Sequence, residues 1–121
     1  MFDHVGLRVT EVERSVRFYA QALEPLGFVV DSRDASGAGI GPSGRPALWL
    51  HLAAGGRGSG AHLAFSAPSR DAVDRFHAAG LAAGGHDNGA PGPRPDYGPT
   101  YYAAFLVDPD GNNVEAEYCP R

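Results

Sequence analysis

Three side chains far apart in this sequence carry its clearest chemical suggestion: His4, His62 and Glu115. Each histidine heads a short run in which apolar residues alternate with small or polar ones, His-Val-Gly-Leu-Arg-Val and His-Leu-Ala-Phe-Ser-Ala. Such alternation reads as a strand with one face on a packed layer. In the run from Asn112 to Tyr118, Val114, Ala116 and Tyr118 share one face, while Glu115 and Glu117 share the other. If the apolar faces meet helices, the histidines and the carboxylate turn toward the opposite side. Two imidazoles and one carboxylate around a point form the facial set that binds Fe(II), Mn(II), Zn(II) or Ni(II) and leaves positions open for substrate. One divalent ion is therefore the expected cofactor. A lone histidine at a strand start is most often a surface residue; the matched placing of these two raises the ligand reading above that.

The elements that must position these residues are legible in outline. After the first strand, Thr10 and Glu13 have the spacing of a capping box, and a helix is expected to run to about Glu24. Val12, Val16, Tyr19 and Leu23 give it an apolar stripe, and Pro25 and Gly27 stop it. Strands are expected at Phe28 to Arg33 and Ala47 to Ala53, with a Gly- and Ser-rich loop around a weak strand between them. Ala61 to Ala67 is the next strand. Ser69 caps a second helix carrying Val73, Phe76 and Leu81, and Gly84 and Gly85 end it. A weak strand lies near His86, and Asn88 to Pro99, with four prolines, reads as a long surface loop. Thr100 to Val107 and Asn112 to Tyr118 are strands joined by the tight turn Asp108-Pro109-Asp110-Gly111.

A shift of 58 residues superposes the two halves: His4 falls on His62, Arg17 on Arg75, Phe18 on Phe76, Ala20 on Ala78, Leu23 on Leu81 and Gly27 on Gly85. Composition alone would give about two such identities over this span. The chain thus reads as one α+β domain, residues 1–121, made of two tandem βαβββ modules, about 1–55 and 60–121. Pairing about a pseudo-two-fold axis would give a curved mixed sheet with helices outside and a cleft within.

Composition removes several alternatives. All ten basic residues are arginine and they are scattered singly, in a chain of net charge −4. Nucleic acid binding, which needs a basic patch, is not expected. Without lysine there is no Schiff-base chemistry and no phosphate loop of the lysine type. Cys119 is the only cysteine, so neither a disulfide framework nor a thiolate zinc cluster can form. No apolar run approaches a membrane span, and no secretory signal is evident at the start of the chain. A cytoplasmic location and no membrane partner are the expectations.

The opening His-x-Gly-Leu-x-Val, the Arg-Phe-Tyr of the first helix, the second His-Leu-x-Phe and the closing Asp-Pro-Asp-Gly-Asn-Asn-Val-Glu together resemble the vicinal-oxygen-chelate superfamily, which includes glyoxalases, extradiol dioxygenases and fosfomycin- and bleomycin-resistance proteins. The resemblance covers essentially the whole chain. It implies paired βαβββ modules around a divalent metal, with the ligands falling on His4, His62 and Glu115. It also implies a substrate with adjacent oxygens, isomerase, lyase, ring-opening or dioxygenase chemistry, and a homodimer. Glyoxalase I has a further carboxylate ligand on the last strand of its first module. Here that place falls near Leu48 or Trp49, neither of which binds a metal, so the three-ligand members are the better match.

Further site residues are expected around this centre. Glu117 and His51 are candidates to move a proton. Trp49 and Phe105 would wall the cleft, and Tyr101 or Tyr102 could donate to a substrate oxygen, only one of the two facing inward. Arg94 and Tyr97 lie in the proline-rich loop, which as a lid would bring Arg94 to an anionic substrate. The rival reading is a metal-free small-molecule binder or drug-sequestering protein of the bleomycin-resistance type, using the same cleft.

Overall fold

A computed structural model describes residues 1–53 and 55–120. The first module runs β1 (Val5–Val9), α1 (Val12–Leu23), a 3-10 turn (Glu24–Leu26), β2 (Val29–Asp34), β3 (Gly37–Gly41) and β4 (Leu48–Leu52). The second runs β5 (His62–Ser66), α2 (Arg70–Ala82), β6 (His86–Pro93), β7 (Tyr102–Val107) and β8 (Asn113–Tyr118). Each module forms a four-stranded mixed sheet with the same order, β1-β4-β3-β2 and β5-β8-β7-β6. The first and last strands of each module pair in parallel, with the helix in the connection between them, as a parallel pair requires. The fold is α+β, with the duplicated βαβββ unit that the repeat predicts.

The core lies between the sheets and the helices. Leu7 and Val9 of β1, Val16, Phe18, Tyr19 and Leu23 of α1, Val73 and Phe76 of α2, and Val114 and Ala116 of β8 are all buried. Each large side chain among them contributes about 1.5–3 kcal/mol on burial. α2 packs closely on both α1 and β7: a Cβ on Gly80 would meet Phe18 Cε1 of α1 at 3.3 Å and Leu106 Cδ1 of β7 at 2.3 Å. No strand of one sheet hydrogen-bonds to the other among the described residues, and β1 and β5 each stand at the end of their sheet. Among the described residues no helix is long and apolar enough to cross a membrane.

The turn between β7 and β8 ties the modules together. Asp108 is buried and accepts from the Tyr19 hydroxyl of α1, from Asn112 Nδ2 at 2.9 Å and from the backbone N–H groups of Asp110 and Asn112. Asp110 takes Thr10 Oγ1 at 2.5 Å and Ser15 Oγ at 3.3 Å. Thr10 is therefore not the expected helix cap. Glu11 stands at the N-cap without a side-chain bond, and Glu13 pairs with Arg33. An enclosed carboxylate from the other module is a better partner for Thr10 at this positive helix end than its own neighbour would be. Ser69, by contrast, caps α2 as expected, accepting from Ala72 N at 3.1 Å.

The weak strand expected in the Gly-rich stretch after β2 is present as β3, and it is wholly buried. One segment differs from expectation. The proline-rich segment is a strand as far as Pro93, and only the part beyond is loop. Prolines are tolerated in β6 because it is an edge strand with irregular register between Gly89 and Gly92.

Candidate functional site

On the second sheet, Leu63, Phe65, Val114 and Ala116 face the core, which turns His62, Ala64, Ser66, Glu115 and Glu117 onto the open face. Register sets Glu115 between Ala64 on β5 and Phe105 on β7. His62 Nε2 lies 3.1 Å from Glu115 Oε2, and the other carboxylate oxygen, Oε1, accepts from the Tyr101 hydroxyl at 2.6 Å. Glu115 is only 4% exposed, so both of its oxygens are held in place. Burial, then the hydrogen bond and charge of Glu115, push the Tyr101 hydroxyl well above the ordinary tyrosine range, keeping it a donor.

The imidazole has a defined orientation. His62 Nδ1 lies 3.2 Å from the carbonyl oxygen of Asn113, a group that can only accept, which places Nδ1 where a ring N–H would donate. Nε2 faces the Glu115 carboxylate at 3.1 Å, a separation that a ring proton or a metal ion between them would satisfy. A metal-binding histidine commonly has its other ring nitrogen fixed by a carbonyl or carboxylate in this manner. His4 repeats the arrangement with Nδ1 against Asp3 Oδ1 at 2.7 Å, leaving its Nε2 without a hydrogen-bond partner among the described residues.

Glu117 lies on the same face, two residues beyond Glu115. Its Oε1 accepts from Ser66 Oγ at 3.1 Å, and its Oε2 is buried with no donor. Phe105 stacks on His62, with ring centroids 6.4 Å apart and planes at 22°. Arg94 lies over the Phe105 ring at 5.5 Å, and Tyr97, largely exposed, meets Tyr101 edge-on at 5.4 Å. The structure thus gathers His62, Glu115, Glu117, Tyr101, Tyr97, Phe105 and Arg94 on one side of the second sheet.

It does not bring His4, Trp49 or His51 to them within one chain. His4 precedes β1 with 59% of its side chain exposed, and among the described residues no three His, Cys, Asp or Glu side chains converge as a metal-holding group. Trp49 and His51 lie on the corresponding face of the first sheet, above a hollow with Ser32, Arg33, Asp34 and Gly37. The reason is topological, since β1 and β5 do not pair with each other. Tyr102 faces the helix layer instead of the site. Its hydroxyl donates to Asp74 Oδ1 at 2.6 Å and Arg70 covers its ring, as strand alternation requires once Tyr101 points to Glu115.

The register also resolves which residue of the first module corresponds to Glu115. Gly6 pairs with Trp49 as Ala64 pairs with Glu115, and Arg8 pairs with His51 as Ser66 pairs with Glu117. Trp49 therefore holds the matching place, and His51 is the counterpart of Glu117. Ser66 was missed in the sequence, although the alternation His62, Ala64, Ser66 puts it on this face.

The chain resembles solved structures along its full length. A glyoxalase/bleomycin resistance protein from Albidiferax ferrireducens is 35% identical, with 98% of each chain covered and a TM-score of 0.84. A glyoxalase I mutant from Zea mays is 28% identical with a TM-score of 0.72, over 95% of this chain and 45% of that one. A glyoxalase/bleomycin resistance protein/dioxygenase family enzyme from Burkholderia phytofirmans, 22% identical with a TM-score of 0.74 over 98% of both chains, shares the fold. No curated protein matches the sequence. The sequence from residue 1 to residue 116 fits one family throughout, and the chain belongs to the Glyoxalase/Bleomycin resistance protein/Dioxygenase superfamily.

Proposed function

We propose that the chain is a metal-dependent enzyme of this superfamily, acting on a small molecule with adjacent oxygens, and that His62 and Glu115 of one copy hold the ion together with His4 of a second copy. The observation that carries this reading is the approach of His62 Nε2 to Glu115 Oε2, 3.1 Å away, with His62 Nδ1 against the Asn113 carbonyl and Glu115 Oε1 held by Tyr101. These residues fit a divalent ion as a donor set of borderline nitrogen and hard oxygen. A second copy is supported by the exposed His4 ring, by the unpaired edges of β1 and β5, and by the exposed apolar Met1, Phe2 and Val5 beside them.

A bound ion would supply Lewis acidity to the substrate oxygens. Glu117 takes the role of proton acceptor, since its Oε2 is buried and lacks any donor while Ser66 steadies Oε1. Phe105 and Tyr97 wall the site, and Trp49 and His51 join it from the second copy. Metal analysis of the purified chain after supply of Zn, Ni, Mn or Fe is the test. One ion per site is expected, lost in His62→Ala. Negligible metal under all four conditions would end the enzyme reading.

One observation favours the rival, a metal-free binding protein: an apolar cavity of about 200 Å³ opens between the modules, lined by Val5, Phe28, Ile40, Leu48, Leu63 and Phe65. Tight binding of an apolar aromatic compound, unchanged by a chelator, would select it.

A further inference from the structure

We infer that Arg94 is a pre-positioned anchor for an oxyanion, and that the ligand of this site therefore carries a carboxylate or phosphate-type group on a flat body. The inference rests on the reading that the open face of the second sheet is the ligand site, and it adds the class of ligand.

The side chain is laid in a bed made for it. A Cβ on Gly89 would meet Arg94 Nη2 at 3.4 Å and Phe105 Cδ2 at 3.0 Å, and one on Gly92 would meet Nη1 at 3.3 Å. Two glycines on β6 thus let the guanidinium lie against the strand. Nη2 donates to the Ala90 carbonyl at 2.6 Å and Nη1 to that of Pro93 at 3.4 Å. The backbone is equally fixed, with Arg94 N donating to Tyr101 O at 2.8 Å and Arg94 O accepting from Tyr97 N at 2.9 Å. That short loop connects Arg94 to the tyrosine that holds Glu115.

Yet the charge is unmatched. Among the described residues Arg94 forms no ion pair, and what sets it apart from the other arginines without one is that its guanidinium is held in place by backbone carbonyls and the glycine bed. Two backbone carbonyls use only part of the five N–H donors, and a guanidinium fork matches carboxylate or phosphate oxygens two at a time. Phe105 lies between this cation and the imidazole, 5.5 Å from Arg94 and 6.4 Å from His62. A ligand that reaches both ends must cross that ring, which suits a planar one.

The test uses the full chain freed of metal with EDTA, with benzoate and phenylphosphonate as anionic probes and benzyl alcohol as the neutral one, followed by calorimetry or NMR shift titration. The wild type is expected to prefer an anionic probe by at least about tenfold, and Arg94→Gln to remove that preference while leaving benzyl alcohol unchanged. Arg94→Lys keeps the charge without the fork, and should keep a reduced preference even if Arg94→Gln fails to fold. The stronger anionic probe tells carboxylate from phosphate. No preference in the wild type, or an equal preference in both variants and the wild type, overturns the inference. Because no metal is present, an Arg94-dependent preference in a chain that never binds metal would refute the enzyme reading alone.

Discussion

If His4 of one copy completes the site of another, two broken chains should repair each other. Take His4→Ala and His62→Ala, both at exposed rings whose loss leaves the core untouched. Each homodimer lacks one of three donors at every site. Metal affinity should then fall by more than the about ten- to hundredfold that an outer-shell partner is worth. In the mixed dimer the two defects segregate. One site carries both substitutions, and the other receives an intact His4, His62 and Glu115. Random exchange of equal amounts gives about half mixed dimers, each with one good site of two, so about a quarter of wild-type high-affinity capacity should return. Competition against a chromophoric chelator measures it, with differently tagged chains and native mass spectrometry counting the mixed dimers. Mixed dimers present without recovered capacity would show that His4 is not supplied across the interface. A His4→Ala chain that binds metal like the wild type would remove His4 from the centre altogether.

Two other outcomes follow from individual contacts. Tyr101→Phe deletes the donor to Glu115 Oε1 and frees the carboxylate to turn, so metal affinity should fall about ten- to hundredfold by the same chelator competition; an unchanged affinity would mean that Tyr101 does not position Glu115. Tyr19→Phe strips a hydroxyl from the buried Asp108 and should lower stability at neutral pH by about 1–3 kcal/mol in urea melts. Burial first, then the charge of Asp108, hold the Tyr19 hydroxyl protonated far above its unfolded value, so the folded chain keeps a proton that the unfolded chain releases above about pH 10. Stability should accordingly fall as pH rises past that point in the wild type, and fall less steeply in Tyr19→Phe; equal slopes would discard this assignment.

Much of this architecture could be read from alternation and repetition. The faces of β1, β5 and β8 follow directly from which residues alternate, and with them the placing of Glu115 and Glu117 on the open side. Alternation says only that Tyr101 and Tyr102 face opposite ways, and the fold decides which of them meets Glu115. Long-range polar partners left no local trace. Thr10 and Glu13 have a capping spacing, yet Asp110, 100 residues away, takes the Thr10 hydroxyl. β6 runs beyond the weak strand expected near His86 into the proline-rich segment, where propensity cannot tell an edge strand from a loop because the missing N–H groups would face solvent. Arg94 was visible as a charge in a loop, but the glycine bed that fixes it appears only once β6 is a strand.

The duplication also accounts for the partial donor set that one chain would bring to the proposed centre. Both modules repeat the same frame, and a histidine stands at the start of the first strand in each: His4 just before β1 and His62 as the first residue of β5. The last strands have diverged: Glu115 and Glu117 in the second module stand where Trp49 and His51 stand in the first. A two-fold pairing of the first module of one copy with the second module of another would therefore bring together two histidines, one carboxylate and one indole. That is three donors and a wall, whereas two copies of the second module's pattern would give four donors. The Trp49 ring lies close over β3, where a Cβ on Gly39 would meet its Cζ3 at 2.7 Å, so the glycine leaves the room that the indole occupies. Under the proposed pairing, Trp49 of one copy would stand as an apolar wall beside the His62 and Glu115 of the other, and Arg94 and Phe105 on the second sheet would set specificity.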